Sequence, residues 1–167
     1  MSLAQVYAVN DFATVQSASP KFDALLATAE TLQQAKYIVR IFSHAEQSVL
    51  FGAFQNGECL GFLRVLVQVI GSEEGRTSIT SAGSVLREGF VEAFGVLPGY
   101  RRQGIGQELQ AKAIAFCREQ GCYQIRSLSP VTSTENYSLK LKMGYAIHPN
   151  KENDSYYFIK TLQSFIN

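Results

Sequence analysis

The sequence predicts a single mixed α/β domain in which helices flank a mostly antiparallel sheet. Three observations predict this class. An Asn56-Gly57 hairpin signal separates two strand-like segments, an apolar strand meets a helix at an Arg- and Gly-rich loop, and strand and helix patterns alternate after that loop. The 167 residues, of which 46% are hydrophobic, suffice for one compact domain spanning residues 1–167.

The first half of the chain predicts two helices between a short strand and a hairpin. Pro20 begins a region in which apolar residues recur at helical spacing. The expected elements are a strand at 5–9, two helices between 20 and 47, and hairpin strands at 48–54 and 59–70. The polar segment 71–86 is expected to be a flexible loop, either a plain surface loop or a lid over the substrate side.

The second half of the chain alternates strands and helices. Gly121 is placed to end the first of these helices. Gly95, inside the central strand, indicates a bulge or a close approach by another backbone. The expected elements are a strand at 88–97, a helix at 105–120, a strand at 123–128, a helix from a capping box at 132–135 to Gly144, and closing strands at 145–148 and 156–161.

Composition and charge argue against several kinds of partner. No apolar run has the roughly 18–20 residues of a membrane-spanning helix, and a net charge of +1 without a basic stripe argues against nucleic acid. Cys59, Cys117 and Cys122 have no metal-type spacing. With no signal-peptide pattern, the sequence predicts a cytoplasmic protein with buried thiols and without a metal site.

The segment 91–106 carries the main functional signal. It joins a strand to a helix, and the unpaired N–H groups at a helix start attract anions. Gly104 and Gly106 permit a close approach, and Arg101 and Arg102 can add charge-assisted hydrogen bonds. Neither a complete G-x-G-x-x-G nor the Gly-Lys-Ser/Thr of a P-loop is present. The segment therefore predicts a pyrophosphate site of another kind.

Two motifs resemble those of a known family. Arg101-Arg102-Gln103-Gly104-Ile105-Gly106 matches R/Q-x-x-G-x-G/A, the acyl-CoA pyrophosphate loop of the GNAT superfamily of N-acetyltransferases. Lys142-Met143-Gly144-Tyr145 resembles the lysine, apolar, glycine, aromatic ending of the same family. The resemblance covers roughly residues 48–160 and implies a GNAT-like fold, acetyl-CoA as cosubstrate, an amine acceptor and a homodimer as one option.

The resemblance also implies where acyl-CoA binds. The pantetheine arm is expected to pair with the backbone of the central strand, where that strand splays from its neighbour, at Phe94, Gly95 and Val96. The pyrophosphate is expected on backbone N–H groups of the loop, at Arg101, Arg102, Gln103, Gly104, Ile105, Gly106 and Gln107. Ser133 and Asn136 on the following helix are the residues expected to bind the pantetheine amides.

The catalytic candidates are one carboxylate and two helix residues. Glu92 is the expected general base, because strand alternation places it on the face of Phe94; a solvent-facing glutamate is the alternative, and Glu88 is a weaker candidate. Lys140 occupies the position where the family usually has a tyrosine acid, and could stabilise a thiolate, contact CoA or recognise a carboxylate. Tyr137 lies about 60° from that face of the helix.

These residues favour an acetyl-CoA-dependent N-acetyltransferase that acts on a primary amine by direct attack in a ternary complex. Two alternatives stay open. The first is an acyltransferase of the same fold that uses another acyl-CoA or another acceptor. The second is a CoA-binding sensor with weak or no catalysis, for which Lys140 at the tyrosine position is the argument.

Overall fold

The structure is a computed structural model that describes residues 4–11, 19–130, 134–150 and 154–163. The strands within these ranges are β1 (Gln5–Asp11), β2 (Gln47–Gln55), β3 (Glu58–Val69), β4 (Thr80–Ser81), β5 (Ser84–Val85), β6 (Arg87–Val96), β7 (Gln124–Pro130), β8 (Ala146–Asn150) and β9 (Ser155–Thr161). The helices are α1 (Pro20–Thr31), α2 (Ala35–Val39), α3 (Ile105–Glu119) and α4 (Thr134–Lys142).

Seven strands form one mixed sheet in the order β1-β2-β3-β6-β7-β9-β8. Neighbouring strands are antiparallel except for β6 and β7, which are parallel and are joined by the crossover helix α3. Strands β4 and β5 form a separate two-stranded hairpin. The predicted mixed, mostly antiparallel sheet with flanking helices is therefore confirmed.

Helices cover both faces of the sheet. On one face, Leu25 of α1 and Ile38 of α2 pack in a core cluster with Phe62 of β3. On the other face, Leu109 and Ala113 of α3 are fully buried against the sheet, and α4 contributes to the same cluster. Each fully buried leucine or isoleucine contributes about 1.5–3 kcal/mol of hydrophobic stabilisation.

Local signals in the sequence agree with the observed turns. Asn56 and Gly57 both have positive φ angles, of 52° and 80°, as a two-residue hairpin turn requires. Gly121, with a φ of 76°, follows the end of α3. The capping-box residues before Thr134 lie outside the described residues, whereas α4 itself is present.

The polar segment 71–86, predicted to be a flexible loop, contains structure of its own. It begins with a 3-10 helix at Ser72–Glu74 and continues into the β4–β5 hairpin. The three cysteines are buried free thiols. Over the described ranges, no helix has both the length and the apolar character needed to cross a membrane. The same ranges hold no cluster of three His, Cys, Asp or Glu residues arranged to bind a metal.

Candidate active site

Strands β6 and β7 pair over only four residues. The pairs run from Glu88 opposite Gln124 to Val91 opposite Ser127. Both strands continue beyond these pairs. Strand β6 extends to Val96, and β7 extends to Pro130, where it is paired with β9. Within the described part of the chain, the edge of β6 that faces β7 therefore has no partner strand beyond Val91, and its backbone groups there can bind something else.

Phe94 presents both of its backbone groups at this unpaired edge. Its N–H donates to Gln34 Oε1 at 3.1 Å, and its C=O accepts from Gln34 Nε2 at 3.0 Å. The C=O of Val96 accepts from Arg101 Nε at 3.1 Å. Phe94 and Val96 are thus the positions of β6 whose backbone groups point into the opening between the strands.

Gly95 does not direct its backbone into the opening. It lies opposite Phe62 of β3, and alternate residues of a strand direct their N–H and C=O groups to opposite edges. A Cβ at Gly95 would lie 2.7 Å from Leu32 Cδ1 and 3.2 Å from Gln34 Nε2. The prediction that Gly95 pairs with pantetheine is therefore wrong: the glycine instead makes room for the connection between α1 and α2.

A β-bulge interrupts the alternation of β6 at Glu92. The register passes from Val91 opposite Val65 to Ala93 opposite Arg64, so Glu92 has no residue opposite it. An extra residue in a strand reverses the side-chain alternation that follows it. Simple alternation of side chains from Glu92 to Val96 therefore assigns Glu92 to the wrong face of the strand.

The bulge places Glu92 on the opposite face from the one predicted. Phe94 and Val96 pack in the core cluster on the α3 face. Glu92 interacts electrostatically with Arg64 and Arg40, which lie beside α2 on the other face. The expectation that Glu92 shares a face with Phe94 and Val96 is corrected accordingly, and Glu92 belongs to the α1–α2 face.

Glu92 is half-buried beside a buried guanidinium group. Burial raises the pKa of Glu92, while the positive charges of Arg64 and Arg40 lower it; the net shift is upward. Arg64 Nη1 donates to the carbonyl oxygens of Tyr37 and Arg40, both at 2.7 Å. Burial lowers the pKa of Arg64, and the charge of Glu92 raises it. This arrangement gives Glu92 the properties of a proton acceptor: partial access and raised basicity.

The Arg- and Gly-rich loop, residues 101–104, leads directly into the first turn of α3. Gly104 is the N-cap residue of α3, has a φ of 84°, and no side chain caps the helix. Arg102 also has a left-handed backbone, with a φ of 61°. Arg101, Arg102, Gln103 and Gln107 are exposed around the helix start, and Ile105 is buried. The first N–H groups of α3 are thus available to an anion.

Gly106 has a role that differs from that of Gly104. A Cβ at Gly104 would meet no atom within 4 Å, so this glycine is needed for its backbone conformation and for open space. A Cβ at Gly106 would lie 3.2 Å from Phe94 Cζ and 3.3 Å from Leu139 Cδ2. Gly106 therefore lets the start of α3 pack closely against β6 and α4.

Lys140 is a buried amine beside the opening. It is 1% exposed, and its Nζ has no hydrogen-bond partner among the described residues. Nζ lies 4.4 Å from the centroid of the Tyr145 ring and 5.9 Å from that of Phe94. Burial lowers the pKa of Lys140 to about 7. The side chain can therefore exchange a proton near neutral pH at a point adjacent to the splayed strand.

Two other predicted residues of α4, Tyr137 and Asn136, lie within the described chain. The Tyr137 ring packs against β9, with its centroid 5.8 Å from that of Tyr156 and 5.3 Å from that of Phe158. Burial raises the pKa of Tyr137. Asn136 is half-buried. Ser133 lies outside the described residues.

Glu88, the weaker base candidate, is engaged in a buried ion pair. It is 0% exposed, and Arg126 donates to its two carboxylate oxygens at 3.1 Å (Nε) and 2.6 Å (Nη2). Arg126 also binds Glu73 of the 71–86 segment. Burial lowers the pKa of Arg126, but the bonds and charges of Glu88 and Glu73 raise it above its usual value. Glu88 thus anchors Arg126, and through it the 71–86 segment.

A cleft of about 440 Å³ lies over this ion pair. Its lining includes Glu74, Arg126, His148 and Tyr157, and the Tyr157 hydroxyl donates to Glu74. The charge of Glu73, which binds Arg126, also acts on Glu92. The guanidinium of Arg126, which lines the cleft, lies 4.8 Å from the centroid of the Phe90 ring, and Phe90 is two residues before Glu92 on β6, so the cleft and Glu92 are on the same side of the sheet.

Sequence reasoning missed three residues of this region. Gln34 gives no local signal, since its partner Phe94 is 60 residues away. Arg126 and Arg64 read as the polar members of strands, and only the sheet register shows that both are buried. Strand arginines that interrupt apolar runs are the one sequence feature that could have pointed to them.

Comparison with known proteins identifies the family. A model of the acetyltransferase (GNAT) family matches residues 14–145. The aminoglycoside N(6')-acetyltransferase type 1 of Klebsiella aerogenes is 30% identical to the chain over 98 residues, which are 59% of this chain and 59% of that protein. The match thus spans about three fifths of that relative's length.

Solved structures share the fold at low sequence identity. Arabidopsis thaliana NAA60 in complex with acetyl-CoA superposes with a TM-score of 0.69 and 13% identity, over 95% of this chain and 98% of that one. The PaiA N-acetyltransferase of Thermoplasma acidophilum in complex with coenzyme A gives a TM-score of 0.58 and 14% identity, over 96% and 99% of the two chains.

A mixed sheet that opens at its parallel pair, next to an uncapped helix start, is the acyl-CoA N-acyltransferase fold. The family model covers well over half of the sequence, and the chain belongs to the acetyltransferase (GNAT) family, a family of transferases.

Proposed function

We propose that the protein transfers the acetyl group of acetyl-CoA to a primary amine by direct attack in a ternary complex. The observation that carries this proposal is that three features of the structure meet at one place. The backbone of Phe94, which binds the Gln34 side chain and no strand at this edge, the uncapped start of α3 and the buried amine of Lys140 lie around one opening in the sheet. Each offers a group that a different part of acetyl-CoA requires.

The residues at the opening fit acetyl-CoA. The N–H groups at the start of α3, with Arg101 and Arg102 beside them, suit the pyrophosphate. The backbone of Phe94 already binds one amide, the carboxamide of Gln34, so the same groups suit an amide of the pantetheine arm. Lys140 has a buried Nζ that lacks a partner in the described structure. Acetyl-CoA supplies a thioester, whose carbonyl carbon is open to attack by an amine.

Glu92 is the general base of the proposal. The acceptor reaches the protein as an ammonium ion, and its nitrogen must lose a proton before its lone pair can form the new C–N bond. The carboxylate of Glu92, directly or through water, accepts that proton. Its raised pKa improves it as a base, and its position at a bulge directs it to the face that holds the 440 Å³ cleft.

Lys140 is the general acid of the proposal. When the C–S bond breaks, its electron pair goes to sulfur, and the Lys140 ammonium donates a proton to the thiolate. A pKa of about 7 allows this proton to be lost and regained near neutral pH. The nitrogen of the adduct loses its second proton to solvent, and Lys140 regains a proton from solvent. The products are therefore an amide, free CoA and one net proton, the one that Glu92 accepted and then releases. Tyr137, packed on β9, is the second candidate for this role.

The acceptor is proposed to enter from the Glu92 face. A cleft of about 440 Å³ is large enough for a small molecule or the end of a peptide. The 30% identical relative is named an aminoglycoside acetyltransferase, so aminoglycosides belong in the first panel of amines. The cytoplasmic location and the homodimer remain predictions; light scattering of the purified protein measures the second.

Calorimetric titration with acetyl-CoA and CoA, with NADH as a control, tests the cosubstrate. We expect micromolar binding of both CoA compounds and none of NADH. Thiol release with a panel of amines then tests turnover. CoA binding without turnover would favour the sensor alternative, and a preference for longer acyl groups would favour the other-acyl alternative. No CoA binding by the folded protein would refute the proposal.

The role of Glu92 is tested by Glu92→Gln. We expect kcat to fall about 100-fold while the affinity for CoA is retained, because a positioned base contributes about 10²–10⁴-fold. Glu119→Gln, an exposed position at the far end of α3, is the matched control and should leave kcat unchanged. An unchanged kcat in Glu92→Gln would remove Glu92 from the mechanism.

A further inference from the structure

The side chain of Gln34 lies at the opening and binds both backbone groups of Phe94. It precedes α2, makes no side-chain cap for that helix, and instead reaches β6. Its Nε2 donates to the C=O of Phe94 at 3.0 Å, and its Oε1 accepts from the N–H of the same residue at 3.1 Å. A carboxamide that binds both backbone groups of one residue makes the bonds that a neighbouring strand would make.

The same two backbone groups cannot serve a second amide at full strength. A pantetheine amide presents one N–H and one C=O, which are the groups that Gln34 presents. An N–H donates one bond, so a ligand amide that pairs with Phe94 must displace the Gln34 Oε1 acceptor. Binding at this edge is therefore a competition between an internal and an external amide.

Packing links the displacement of Gln34 to the α1–α2 face of the sheet, which also holds Glu92. Gly95, next to Phe94, lacks a Cβ where Leu32 Cδ1 and Gln34 Nε2 pack, so the connection between α1 and α2 lies directly on β6. Gln33, within that connection, has a left-handed φ of 59° although it is not glycine. Releasing Gln34 from Phe94 frees a strained segment on the same face as Glu92.

We propose that the Gln34 carboxamide holds the place of a pantetheine amide until acyl-CoA displaces it. This inference rests on the proposed function, because it takes acyl-CoA as the ligand of this edge. Its consequence is that Gln34 and the α1–α2 connection shift when acyl-CoA binds.

The test is the affinity of Gln34→Ala for CoA, measured by calorimetry, with Gln47→Ala as the matched control at an exposed position at the start of β2. Removing an internal competitor that makes two hydrogen bonds should tighten CoA binding about tenfold. Gln47→Ala should bind as wild type does. Circular dichroism and thermal unfolding establish that each variant is folded.

Hydrogen exchange of the peptide that contains Phe94 gives a second readout. Without CoA, this peptide should exchange faster in Gln34→Ala than in wild type; with CoA, the two should be equally protected. Unchanged or weaker CoA binding by folded Gln34→Ala, with wild type binding normally, would overturn this inference and leave the proposed function standing. Failure of all three proteins to bind CoA would overturn both.

Discussion

Lys140→Met should stabilise the protein and remove part of the pH dependence of its stability. Burial lowers the pKa of Lys140 from 10.5 to about 7. Between these two values the unfolded state binds more protons than the folded state, so stability rises with pH. A shift of one pKa unit corresponds to about 1.36 kcal/mol. Integrated from pH 6.5 to 8.5, the lysine makes the free energy of unfolding rise by about 2 kcal/mol.

The assay is urea unfolding followed by circular dichroism at pH 6.5, 7.5 and 8.5. Methionine fills a similar volume without a charge, so Lys140→Met should be the more stable protein by up to about 4 kcal/mol at pH 6.5. That advantage should shrink by about 2 kcal/mol at pH 8.5. Taking the difference between variant and wild type cancels the titration of all other groups. Lys112→Met, an exposed position on α3, is the control and should show no such trend.

A stability difference between Lys140→Met and wild type that does not change with pH would refute the reasoning, because it would mean that the amine is not held in a desolvated place. The same variant should lose turnover, since methionine has no proton to donate. Lys140→Arg should retain the charge, yet it should lose the decline of kcat above pH 7 that a group with a pKa of about 7 produces. Higher stability combined with lower activity is typical of a residue kept for chemistry.

Two further predictions concern the Arg- and Gly-rich loop before α3 and the buried ion pair of Glu88 with Arg126. Gly104→Trp should weaken CoA binding at least tenfold and Arg102→Ala by much less, because backbone shape matters more there than side-chain charge; equal CoA affinity in a folded Gly104→Trp would contradict this. Arg126→Met should destabilise the protein by about 3–5 kcal/mol, because the buried Glu88 keeps the donors of Gln68 and Gln124 but loses its positively charged partner. Thermal unfolding measures this loss, and the exposed control Arg118→Met should show none.

Much of the fold is visible in the sequence because its signals are local. The Asn56-Gly57 turn, the apolar spacing of α3 and the glycine after it each depend on residues within one or two turns of chain. The uncapped start of α3, where the anion site is proposed, is predictable for the same reason, since helix and loop are contiguous. The separation of β6 from β7 is predicted only by the resemblance to the family, because no local signal in the sequence indicates it.

The parts that could not be predicted depend on sheet register. No residue type announces a bulge, so nothing in the sequence shows that Glu92 turns to the opposite face from Phe94. The bonds from Gln34 to Phe94 and from Arg126 to Glu88 join segments 60 and 38 residues apart. Such pairs are decided by which strands become neighbours, and that is a property of the whole chain.

The short parallel pair between β6 and β7 has a mechanical consequence. It divides the sheet into a block of β1, β2, β3 and β6 and a block of β7, β9 and β8, joined at the seam by four residue pairs, by α3 and by the ion pair of Glu88 with Arg126. The two blocks also share one core cluster, in which Val65 and Val91 pack with Ile125 and Phe158, so they separate only at the open end of the seam. A ligand in that open end touches both blocks and adds a link between them that the sheet lacks. Its binding should therefore raise the free energy of unfolding of both blocks together.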